Sequence, residues 1–118
     1  MANNPANFQT KSFLPIDATI AIGQQVSNVI DVRGLTGVGL FVPDGMTSTE
    51  ITFSVSYDNV EFFQLRDADN DPISQTISVS RGAYWLPPPA FFPWNYLKLS
   101  VDTAEAAERV IKVMPGNI

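Results

Sequence analysis

Any chemistry in this chain has to come mainly from carboxylates. The stretch DADNDP places Asp67, Asp69 and Asp71 at alternate positions, with Asn70 between the last two and Pro72 closing the run. Three carboxylates so spaced are hard oxygen ligands, a weak candidate for a calcium loop. An EF-hand would need glycine where Pro72 stands, an acid at Ser78, and helices on both flanks. The chain departs from that pattern at each point. Asp and Asn are also favoured at hairpin tips, where their side chains bond nearby amides and tolerate left-handed angles. The expectation is therefore a turn, with no metal and no cofactor.

The other routes to catalysis are few. Among 118 residues there is no histidine and no cysteine, which removes thiolate nucleophiles, imidazole bases, disulfides and the usual zinc ligands. Asp58, Glu61, Glu105 and Glu108 lie at turns and read as exposed acids with little tuning. Lys11 stands beside Ser12, but in a segment with no visible pocket. A glycosidase pair would need a cleft that so small a domain struggles to enclose. The chain is expected not to be an enzyme.

Lys and Arg number 7 against 12 Asp and Glu, a formal charge of −5, so phosphate backbones are repelled and nucleic acid is not an expected partner. No basic segment followed by an apolar run opens the chain, and no apolar stretch is long enough to cross a bilayer. The expectation is a soluble protein made in the cytoplasm without a signal peptide and without membrane contact.

Elements that would position side chains read as short strands. In EITFSVSY, Ile51, Phe53, Val55 and Tyr57 alternate with Thr52, Ser54 and Ser56, the period of a strand with one buried face. NYLKLSV repeats this with Leu97, Leu99 and Val101, and RVIKV and TISVS do so over shorter spans. VSNVIDV at 26–32, GVGLFVP at 37–43 and EFFQLR at 61–66 complete the set, separated by turns such as Asp44-Gly45 and Asp58-Asn59. TAEAAE at 103–108 is too short for a stable helix and reads as a loop.

Two segments carry exposed apolar character. YWLPPPAFFPWNY, residues 84–96, holds Tyr84, Trp85, Phe91, Phe92, Trp94 and Tyr96 around four prolines. Prolines remove backbone donors, so it should run along an edge or corner. Some of its aromatics should fill the core while others anchor a partner. The first 16 residues, with Phe8, Phe13 and Leu14, show no strand or helix period and read either as a loose terminus or as an arm that adds to a neighbouring subunit.

FSVSYDNVEFFQLRDADNDPIS, the aromatic and proline segment, WNYLKLSV and AAERVIKVM together resemble small β-sandwich accessory proteins of tailed-phage virions, over roughly residues 26–114. That resemblance implies a capsid decoration or cement protein, binding the major capsid protein or another virion protein as a homo-oligomer, with a trimer suggested by analogy. SVSYDNVEFFQL is also similar to discoidin-like and carbohydrate-binding jelly rolls, with Asn59 where their turn prefers glycine. The alternative function is therefore a non-catalytic carbohydrate-binding module, with Trp85, Trp94 or Tyr96 stacking on sugar rings.

The expected architecture is all-β, an antiparallel β-sandwich of about seven to eight strands, jelly-roll-like, over residues 17–118, preceded by an extended N-terminal arm over 1–16. The expected partner-binding residues are Phe8, Phe13, Leu14, Trp85, Phe91, Phe92 and Trp94, and the expected location is the virion.

Overall fold

A computed structural model describes residues 14–33, 37–86 and 94–116, and of Gly37, Pro115 and Gly116 the backbone alone. Phe8, Phe13, Phe91 and Phe92 lie outside the described residues. The described chain forms β1 (Ile16–Ile20), β2 (Ile30–Asp31), β3 (Gly37–Val42), β4 (Glu50–Ser56), β5 (Phe63–Gln64), β6 (Ser74–Thr76), β7 (Gly82–Leu86), β8 (Tyr96–Val101) and β9 (Arg109–Gly116).

These strands make two antiparallel sheets. One has the order β1-β9-β3-β7; the other has the order β2-β8-β4-β5, with β6 also pairing β4. Strands that follow one another from β1 to β4 alternate between the sheets, as do those from β7 to β9, so the chain winds as a jelly roll. The architecture is an all-β sandwich.

β4 and β8 show why the sequence folds this way. Their register sets Ile51 opposite Val101, Phe53 opposite Leu99 and Val55 opposite Leu97. All six are buried, while Thr52, Ser54, Lys98 and Ser100 turn to the other face. From the second sheet Leu40, Val42, Ile111 and Val113 complete the core. Burying a side chain such as Phe53 stabilises the fold by about 1.5–3 kcal/mol.

The structure corrects several sequence expectations. Residues 16–20 are a full strand paired with β9, although Ile16 falls within the expected arm. Strand β6 spans Ser74–Thr76 rather than 76–80, because only Ile77 is drawn into the core and Val79 stays exposed. Tyr57, expected on the buried face, is 66% exposed, and Ser56 is buried instead. The Ser56 hydroxyl accepts from the Asn59 amide at 2.9 Å, closing the turn in which Asn59 takes a φ of 62°. Residues 84–86, the start of the aromatic and proline segment, lie in β7, which among the described residues pairs only with β3, and residues 87–93 lie outside the described residues.

Candidate docking surface

The two sheets differ on their outer faces. The outer face of the β4–β8 sheet is mainly polar, carrying Thr52, Ser54, Lys98 and Ser100, with the rings of Tyr96 and Phe62 lying under Arg33 and Lys98. The other sheet has Leu40, Val42 and Val113 inward, which leaves Gly39 and Phe41 of β3, Ala83 and Trp85 of β7, and Val110, Lys112 and Met114 of β9 outward.

Register arranges these residues in rows. Trp85 lies opposite Gly39, which lies opposite Met114; Ala83 lies opposite Phe41, which lies opposite Lys112. Because Gly39 has no side chain, a hollow of about 380 Å³ opens between Trp85 and Met114, with Phe41 and Ala83 on its border. A second hollow of about 440 Å³ continues from Phe41 and Ala83 over Pro43 and Val110. Arg81 and Lys112 stand at its rim, and Lys112 bonds Asp17 at 2.6 Å.

Trp85 is 76% exposed and Phe41 50%. A contiguous exposed apolar area rimmed by charge is characteristic of an interaction site. Among the described residues this face offers shape and apolar area.

The expected partner-binding residues separate. Trp85 lies on this face, Leu14 is exposed just before β1, and Trp94 packs half-buried against the core. Trp94 instead borders a third hollow with Tyr57, Phe63 and Arg66, where the rings of Tyr57 and Phe63 stack 6.4 Å apart. Tyr96 lies on the other sheet beneath the Arg33 guanidinium. Trp85, Trp94 and Tyr96 thus face different surfaces. Phe41, Ala83 and Met114 were missed in the sequence; the signal for Phe41 was the run GVGLFV, which lacks the polar alternation of β4, while Ala83 and Met114 join it only through the pairing of β7 and β9 with β3.

The DADNDP loop closes a hairpin in which Arg66 bridges Pro72. One oxygen of Asp67 accepts from the amides of Asp69 and Asp71, at 2.9 and 3.0 Å. Asn70 has a φ of 68°, the left-handed geometry its residue type tolerates. No group of three His, Cys, Asp or Glu among the described residues could hold a metal ion. Asp67→Ala should lower the melting temperature by about 5 °C, as expected for losing turn hydrogen bonds, whereas Asp69→Ala and Asp71→Ala should change it little. Calorimetry of the three variants with and without calcium checks this, since an ion site would need all three carboxylates.

Glu105 overturns its reading as an exposed turn acid. It is 1% exposed, and its carboxylate accepts from the amides of Thr47 and Ser48 at 2.9 and 3.0 Å and from Arg109 Nε at 2.9 Å. Its own backbone bonds Gly23 and Gln24. Burial pushes its pKa up, but the amide donors of the 47–48 loop, Ser48 and Arg109 outweigh it, and the group is held below the ordinary glutamate range. Asp31, Asp58 and Asp102 are lowered too, chiefly by hydrogen bonds from Arg33, from the Val60 amide and from Thr49 respectively. A general acid or base working near neutrality needs a shift in the opposite direction.

No described helix is long and apolar enough to cross a membrane. No family model matches the chain, and no curated protein matches it in sequence. Among solved structures, the SPBc2 prophage-derived protein YomS is similar in fold, with a TM-score of 0.52 at 15% identity, covering 88% of this chain and 96% of that one. At that identity the likeness concerns the β-sandwich alone.

Proposed function

We propose that the chain is a phage structural protein that acts by protein–protein binding, a component of the virion that docks through the outer face of the β1-β9-β3-β7 sheet. The observation that carries this reading is that face itself, where Trp85 and Phe41 stand exposed beside Gly39, Ala83 and Met114. An apolar sheet face of this kind would be covered in an assembly, with the aromatic side chains as its anchors. The fold shared with a prophage-derived protein supports a phage setting.

Within that setting we place the chain as a capsid decoration or cement protein without catalytic activity. Repetition on a symmetric shell would turn a modest single contact into avid binding. Mass spectrometry of purified particles made from the genome that encodes the chain tests the proposal. The protein should be present at a fixed ratio to the major capsid protein; its absence from intact particles would overturn the virion role.

A further inference from the structure

An antiparallel sheet has two edge strands, and here they are treated differently. At β1, Asn28 acts as a substitute strand: its Oδ1 accepts from the Thr19 amide at 2.7 Å and its Nδ2 donates to the Asp17 carbonyl at 3.2 Å. The edge strands of the other sheet are two or three residues long, β2, β5 and β6. Blocking and shortening are the usual protections against edge-to-edge pairing. Strand β7 has five residues, and among the described residues none bonds its free side.

The same Asn28 contacts reveal which groups β7 presents. Because Asp17 and Thr19 turn their backbone groups toward Asn28, it is Ile16 and Ala18 that bond β9, at Val113 and Ile111. Alternation along antiparallel ladders then points Lys112 and Met114 toward β3, and Leu40 and Val42 toward Tyr84 and Gly82 of β7. Ala83 and Trp85 are left with their N–H and C=O groups directed outward, two donors and two acceptors that no described residue pairs.

We propose that this edge pairs with the β7 strand of a second copy, antiparallel about a twofold axis at Tyr84. In that register Ala83 faces Trp85 of the second copy, and each Trp85 faces an Ala83, so both outward residues exchange both hydrogen bonds. The sequence Gly-Ala-Tyr-Trp-Leu suits the arrangement. A large ring lies over a small residue on the outer face, and no charge meets its like. An isologous contact of this kind is self-limiting, producing a dimer rather than a fibre. The two four-stranded sheets join into one, and the apolar faces run continuously across it.

The pairing concerns backbone groups at the edge, whereas the virion reading concerns side chains on the face. Native mass in isolation tests the first, and particle composition tests the second. Size exclusion with light scattering over a dilution series should give twice the 12.9 kDa of the chain. Ala83→Pro should give a single chain with unchanged circular dichroism, because the lost amide points outward and bonds nothing within the sheet. Wild-type protein that stays monomeric throughout, or an Ala83→Pro variant that keeps the wild-type mass, would overturn the pairing.

If Ala83→Pro does not fold, Tyr84→Cys decides. The chain has no other cysteine, and residues across the axis would have Cα atoms about 4.5 Å apart, within disulfide reach. Mild oxidation should then give a covalent dimer. No more dimer than from a Ser54→Cys control on the opposite sheet would contradict the register.

Discussion

Glu105→Ala should destabilise the protein by about 3–5 kcal/mol, which for a domain of this size lowers the melting temperature by some 12–20 °C. The carboxylate is fully buried and satisfies three donors, the amides of Thr47 and Ser48 and the Arg109 guanidinium. Arg109 itself is only 16% exposed in its side chain, so removing its partner leaves a charge with little water to replace the lost bond. Two segments lose their tie together, the 47–49 segment held by the carboxylate and the 102–109 loop that carries it, whereas the 21–25 turn keeps its bonds to the backbone of residue 105.

The effect carries a pH dependence. A carboxylate whose folded pKa is lowered contributes stability above its unfolded value, about 4.3 for glutamate, and loses it as pH falls through the folded value. Asp31, Asp58 and Asp102 shift in the same direction and add to the acid sensitivity. Urea unfolding at neutral pH and at decreasing pH below about 4.5 should show wild-type stability falling steeply. For Glu105→Gln the curve should start lower and fall less, since the group that loses its charge is gone.

Trp85→Glu should weaken docking to virions by at least about 30-fold while leaving folding stability within about 0.5 kcal/mol. The separation follows from position. Trp85 is 76% exposed, with Gly39 opposite it, so the core loses nothing when the ring is replaced. At a docked interface the same ring would be an anchor, and a carboxylate in its place would be desolvated without a partner. Phe41→Ser should act in the same direction with a smaller effect, because half of the ring already rests on the sheet.

The sequence made the core strands readable and left the special sites hidden, for physical reasons. β4 and β8 alternate strictly between apolar and polar residues, so period alone identifies them and their buried faces. β1 alternates too, but its inward residues include the small Ala18, and it follows Pro15 in a segment without other strand signals. Glu105 could not be recognised as buried because its partners lie 57 and 58 residues earlier in the chain. Local pattern carries no trace of such a contact. On the apolar outer face, Trp85 stood out because three prolines follow close behind it, whereas Phe41 was concealed in a run that is apolar on both faces. The hairpin turn at Asp67 was legible because Asp and Asn act there on their immediate neighbours.

The most direct measurement is co-sedimentation of the purified chain with phage particles stripped of it, comparing wild type, Trp85→Glu and an outer-face control on the opposite sheet, Ser54→Glu. The account predicts that wild type and the control bind at a saturable, fixed ratio and that Trp85→Glu does not. Equal binding by all three would contradict the outer face of the β1-β9-β3-β7 sheet as the docking surface.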